Sequence, residues 1–220
     1  MDHLKGKFIV FDGGEGCGKS TQASMLAQRL IDEGHRVLHV HDPGTTRVGG
    51  LIRKILLDPE NTDMNMRCEM LLYMASRAQM MTEMILPALR ERQVVISDRF
   101  VSSTLAYQLG GDGLTAAEIR AVAEIAIQGR WPDLTIILDM PTDQSSIRVK
   151  PKFVLPFPEK FQPQRAKDRI EQRSQKYHEQ VRKNYLAQAK ADPKRYSVID
   201  ASKSQQQVHE AVYSAVNALK

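Results

Sequence analysis

The sequence predicts an α/β fold, a five-stranded parallel sheet with helices on both faces, and three observations predict it. Five short apolar runs (Phe8 to Phe11, Val37 to Val40, Val94 to Ile96, Leu134 to Leu138 and Tyr196 to Ile199) alternate with stretches whose apolar residues recur at helical spacing. The runs are nearly continuous in apolar character, as strands covered on both faces are. A glycine-rich stretch, Gly13 to Ser20, lies between the first run and the first helical pattern.

Taken in order, the first strand is rich in β-branched and aromatic residues, and the helix after the glycines carries Ala23, Leu26, Ala27 and Leu30 on one face. Glu33-Gly34-His35 stops it. The second strand ends at the turn Asp42-Pro43-Gly44. Val48, Ile52, Ile55 and Leu56 stripe a helix that Asp58-Pro59 closes. A Met-rich helical pattern runs from Met66 to about Ile85 and reads as adaptable core. The third strand leads into Ser97-Asp98-Arg99, and a short helix precedes the turn at Leu109 to Gly113. Thr115 and Glu118 form a capping box for a helix striped by Ile119, Val122, Ala123 and Ala126, which Gly129 and Trp131-Pro132 end. The fourth strand terminates at Asp139. From Val149 to Lys167, four prolines and three phenylalanines follow no period, the texture of a mobile loop. Helical pattern resumes from Asp168 to about Ala191. After the fifth strand, Ser204 with Gln207 caps a helix striped by Val208, Val212 and Val216.

At 220 residues the chain suits a single domain, residues 1–220, with a substantial core and neither repeat nor linker. No stretch is apolar enough to cross a bilayer, and MDHLKGK lacks the apolar core of a signal peptide, so the expectation is a cytoplasmic protein with no membrane partner. Two cysteines, Cys17 and Cys68, cannot build a disulfide framework. The net charge of +5 is local: residues 148–195 hold 14 Lys or Arg against 5 Asp or Glu, and the rest of the chain 17 against 21. That distribution suits closure over polyphosphate better than a track along nucleic acid, whose zinc-ligand and aromatic signatures are missing from the sequence.

The chemistry concentrates in Gly13, Gly14, Glu15, Gly16, Cys17, Gly18, Lys19 and Ser20, which fit G-x-x-x-x-G-K-[ST] between strand and helix, with Thr21 following. A nucleoside triphosphate carries roughly three to four negative charges, which inward-facing backbone N–H groups and a helix N-terminus accommodate. Lys19 would reach the β- and γ-phosphates of ATP, and the Ser20 hydroxyl would ligate Mg²⁺. Cys17 reads as a small-residue position rather than as a reactive thiol. Ligands of such sheets gather beyond the carboxyl ends of the strands, where Asp12, His41-Asp42, Asp98-Arg99, Asp139 and Asp200 stand. Asp98 reads either as a partner of Mg²⁺ or substrate, or as a structural ion pair.

FDGGEGCGKST, DPGTT, SDRF with SSTLAYQ, RWPDLTIILD, DRIE and VIDAS, in this order over nearly the whole chain, resemble the thymidylate kinases, P-loop enzymes of the nucleoside monophosphate kinase architecture. The resemblance implies transfer of a phosphoryl group from ATP to dTMP with Mg²⁺, and a homodimer. It further implies that Glu15 faces the sugar of dTMP, that Arg53 and Arg99 hold its phosphate, and that Tyr73 stacks on the base while Arg77 reads its edge. Thr104 and Gln108 add base contacts, and Tyr107 crowds the 2′ position. Arg148 lies against adenine, with Asp200, Ala201 and Ser202 across from it. Catalysis would then rest on Lys19, Asp98, Arg99 and a cation from a lid at about 149–167, chosen among Lys160, Arg165, Lys167 and Arg169 and weighted toward Arg165 and Arg169.

Three features depart from the family's pattern. His41-Asp42-Pro43-Gly44-Thr45 stands where Arg-Glu-Pro-Gly-Gly is common, so His41 reads as a spacer; Phe100 replaces a usual tyrosine; and the lid is longer and richer in proline. The competing reading, a nucleotide-gated module that binds nucleic acid, rests on the basic segment alone.

Overall fold

The computed structural model describes residues 2–144 and 168–219. Strands β1 (Phe8–Gly13), β2 (Val37–His41), β3 (Val94–Asp98), β4 (Leu134–Asp139) and β5 (Tyr196–Asp200) form one parallel sheet in the order β2-β3-β1-β4-β5. β1 is central because it can afford to be: five of its residues, Phe8 to Asp12, are fully buried. Its alternation feeds two cores. Ile9 and Phe11 face Leu26 and Leu30 of helix α1 (Lys19–Asp32), while Phe8 and Val10 face Met70, Met74 and Phe100. Each such side chain contributes about 1.5–3 kcal/mol by leaving water.

Helices α2 (Arg47–Leu57), α3 (Met66–Met80), α4 (Leu86–Arg90), α5 (Val101–Tyr107), α6 (Ala116–Ile127), α7 (Gln175–Ala191) and α8 (Gln205–Asn217) flank the sheet, with short 3₁₀ turns at Asp2–Leu4 and Gly111–Gly113. α8 covers the same face as α1 through Val208, Val212 and Val216, and α3, α5 and α6 cover the other. The chain leaves β1 toward β2 on one side and leaves β4 toward β5 on the other, so a crevice opens beyond the carboxyl end of β1. Among the described residues no helix is long and apolar enough to cross a membrane.

Two element boundaries differ from expectation. The Met-rich helix ends at Met80 and passes through a wide π turn, Met81–Ile85, into α4. Pro87 accounts for this, since it lacks an N–H and its ring crowds the preceding turn. Met70, Met74, Met80 and Met81 are buried, in keeping with a core role. The helix expected from Asp168 starts only at Gln175, where the Ser174 hydroxyl accepts from the Tyr177 N–H at 3.2 Å. Asp168 instead closes a separate turn, its carboxylate accepting from the N–H groups of Ile170 (3.0 Å) and Glu171 (2.9 Å). The lid at about 149–167 lies outside the described residues.

Candidate active site

The glycine stretch connects β1 to α1 as a loop whose backbone only glycine suits. Gly13 has φ 136°, and a Cβ there would meet the Leu138 carbonyl oxygen at 2.4 Å. Gly18, the residue before α1, has φ 94°, and no side chain caps the helix. The first N–H groups of α1 therefore face the loop without a side-chain acceptor, a site for an anion. Lys19 is 7% exposed and donates to the Gly14 carbonyl at 2.7 Å. Cys17 is buried, and burial pushes its thiol pKa up, so it serves as packing.

A cleft of about 1220 Å³ lies above the loop. Glu15, Gly16, Cys17, Gly18, Lys19, Ser20 and Thr21 line one part of it, and Arg53, Tyr73, Arg77, Arg99, Thr104, Tyr107 and Gln108 another. Asp98 and Ala201 line it as well. These residues come from the ends of β1, β3 and β5 and from four helices, α1, α2, α3 and α5, and the sheet brings them together: Phe11 is in register with Asp98, and Asp98 with His41.

Arg99 and Glu15 form the charged centre of the cleft. Arg99 donates to the Glu15 carboxylate, and the Tyr107 hydroxyl donates to the same oxygen at 3.1 Å. Burial would raise the Glu15 pKa, but Arg99 and Lys19 outweigh it and hold the carboxyl at about 2. Arg99 has φ 70°, a left-handed backbone uncommon for a branched-chain or long residue, and its N–H is fixed on the Phe11 carbonyl at 2.9 Å. Behind it Asp12 is fully buried and accepts from Ser102, from Ser103 and from the Tyr185 hydroxyl, the last at 2.9 Å. Burial raises the Asp12 pKa against the opposing pull of Arg99 and these donors.

Ser20 donates to Asp98 at 2.5 Å beside the loop. Among the described residues no group of three or more His, Cys, Asp or Glu could hold a metal. A hydroxyl next to a carboxylate supplies hard oxygen ligands suited to Mg²⁺, which takes one or two protein ligands and fills the rest from phosphate and water.

Away from the loop, Arg77 is 1% exposed: its Nε donates to Asp42 at 2.8 Å, one terminal nitrogen to the Phe100 carbonyl at 3.0 Å, and the other to the Met74 sulfur at 3.0 Å and to Thr104 at 3.3 Å, the two weakest contacts of the set. Tyr73 stands one helical turn earlier on α3. Arg53 donates to the Pro43 carbonyl at 2.9 Å, and a Cβ on Gly44 (φ 121°) would lie 2.8 Å from the Arg53 Cδ. His41 lines the cleft, and Thr45 donates to its carbonyl at 2.7 Å, the contact of a loop spacer.

Arg169, one of the expected lid cations, lies apart from the cleft. It is buried, donates to the Glu69 carboxylate and to the Leu56 carbonyl (3.1 Å), and does not line the cleft. The physical reason is Glu69, a carboxylate with no exposure that needs cationic partners; Arg173 is a second, at 2.6 Å. Arg148 and Arg165, with Lys160 and Lys167, lie outside the described residues. Sequence reasoning missed Glu69, Arg173 and Tyr185 as supports of the site. Only the capping-type residues Asp168 and Ser174 hinted that the segment carrying Arg169 and Arg173 was a turn.

Comparison with known proteins gives concordant matches. A family model described as thymidylate kinase matches residues 11–212. The thymidylate kinase of Pelotomaculum thermopropionicum is 42% identical over 212 residues, 96% of this chain and 93% of that protein. That of Halothermothrix orenii is 39% identical over 97% of both chains. The crystal structure of thymidylate kinase from Ehrlichia chaffeensis superposes with a TM-score of 0.74 at 26% identity, covering 96% of this chain and 98% of that one.

Proposed function

This chain belongs to the thymidylate kinase family and phosphorylates dTMP to dTDP with ATP, and from that premise we propose how its cleft divides the work. The triphosphate binds the loop Gly13 to Thr21, with Lys19 moving from the Gly14 carbonyl to the β- and γ-phosphates. Adenine sits on the side of Ala201, with Arg148 as its other contact. The monophosphate binds across from it: Arg53 and Arg99 take its phosphate, Glu15 its sugar, Tyr73, Arg77, Thr104 and Gln108 its base. Tyr107, whose hydroxyl lies on Glu15, leaves little room for a 2′-hydroxyl. Ser20 and Asp98 would hold Mg²⁺, which neutralises charge on the transferring phosphoryl group.

One observation carries this division: Lys19, which opens the helix after β1, and Arg99, which follows the adjacent strand β3, line one cleft. Two anions brought together in a partly dry site repel each other, and cations on both sides offset that repulsion. The attacking oxygen is already an ionised phosphate, so no general base is required, and the work is positioning and charge stabilisation. The lid cation is then one of Lys160, Arg165 and Lys167, weighted toward Arg165, within a single domain whose lid spans about 149–167. The exposed Leu51 and Ile55 of α2 and Leu71 of α3 support a homodimer, and a cytoplasmic enzyme without nucleic-acid partner fits the site.

ADP release measured over a panel of monophosphates tests the assignment. dTMP is expected to be best, dUMP about tenfold weaker in kcat/KM for want of one methyl group, and ribonucleotides weaker still. Equal rates across the panel would overturn the pocket described above.

A further inference from the structure

Glu69 sits one helical turn before Tyr73 and two before Arg77, on the same face of α3. Its carboxylate has no exposure and accepts from three directions. Arg169 and Arg173 occupy Oε2, and the Gln108 amide nitrogen donates to Oε1 at 2.7 Å. A carboxylate held by two guanidinium groups has only acceptors to offer. It therefore dictates which end of the Gln108 amide it meets: the NH₂ turns to Glu69, and the oxygen turns away. Gln108 lines the cleft, and among the described residues that oxygen has no protein partner. Arg77 lines the same cleft; it can only donate, and its guanidinium is held by Asp42.

We propose that Glu69 is a positioning residue for base choice, which holds the Gln108 amide oxygen toward the cleft and so pairs an acceptor at Gln108 with a donor at Arg77. This rests on the reading that the base of dTMP binds between Tyr73, Arg77 and Gln108. Thymine offers the complementary edge, an acceptor at O4 next to the N3–H donor. Cytosine offers the reverse, an amino donor and a bare N3 acceptor. With the amide locked, cytosine leaves a buried acceptor facing an acceptor and a donor facing a donor, which selects against it more strongly than shape does.

The substitution Glu69→Gln tests this in the full-length protein, with ATP and either dTMP or dCMP. The side-chain oxygen of glutamine would stay with Arg169 and Arg173, which can only donate, so its NH₂ would face Gln108. Gln108 must then turn its own oxygen inward and present NH₂ to the cleft. The expected result is a fall in kcat/KM for dTMP of about tenfold or more together with a rise for dCMP above the unsubstituted protein. A purely structural role would lower both rates together, and an unchanged ratio in a folded variant would overturn the proposal. If removing the counter-charge of two arginines prevents folding, Gln108→Leu keeps the Glu69 ion pairs and removes only the acceptor. Its dTMP-to-dCMP ratio is expected to fall about tenfold, and retained discrimination would overturn the proposal equally. An unsubstituted protein that releases no ADP with dTMP would instead defeat the functional reading itself, whatever the variants do.

Discussion

Lys19 and Glu15 show how far single residues can be taken. Lys19 spends its charge on a loop carbonyl rather than on a core ion pair, so Lys19→Met should leave Tm within about 2 °C while lowering kcat about a hundredfold or more, read in the same ADP-release assay. Glu15 has its pKa lowered to about 2 and therefore stays ionised throughout the neutral range. Its contribution to stability is present above the ordinary carboxyl value near 4.5 and is lost only as pH falls through about 2. His209 titrates where it matters more. It is 5% exposed, its Nδ1 has no hydrogen-bond partner among the described residues, and burial, then Arg29, lowers its pKa from 6.5 while Glu210 opposes. The unfolded chain takes up that proton first, so stability is lost as pH falls from about 6.5 toward the lower folded value. His209→Leu should flatten the fall in Tm between pH 7.5 and 5.5, and a fall of undiminished size would refute this.

At the scale of elements, what was legible in the sequence followed from local rules. The glycine loop, the capping boxes at Thr115 and Ser204 and all five strands depend on neighbours within a few residues, and all appear in the structure. The missed contacts join distant residues: Tyr185 to Asp12, and Arg169 and Arg173 to Glu69. No spacing rule marks a pair about a hundred or more positions apart. The late start of α7 was misread because its periodicity extends upstream into the turn that Asp168 closes, and only the cap at Ser174 separates them. Ser174→Ala should cost about 1 kcal/mol in a urea melt, as loss of a helix cap does. A cost near zero would mean that packing of Val181 and Tyr185 alone holds the helix end.

For the whole molecule, the sheet order could not be read from the chain, because parallel strands of similar composition give no sign of which lie side by side. The order matters to function, since it sets β3 against β1 and so Arg99 against the glycine loop. The outer faces of α2 and α3 carry another consequence. Leu51, Ile55 and Leu71 are about half exposed, an apolar expanse that a two-fold partner would cover. Leu71→Glu is expected to shift light-scattering mass from about twice the 24.9 kDa chain toward one copy, and a monomeric unsubstituted protein would contradict the proposed homodimer.

The contact between Arg99 and Glu15 has one more implication. An arginine that waited alone in a partly dry crevice would draw its guest by long-range attraction, and dissolved ions would blunt that pull. Here the guanidinium is already matched by a neighbouring carboxylate, so the pair presents little net charge to an approaching phosphate and long-range attraction contributes little on this side. Nucleotide capture on this side of the crevice should accordingly tolerate added salt, with the KM for dTMP rising less steeply with potassium chloride than the KM for ATP.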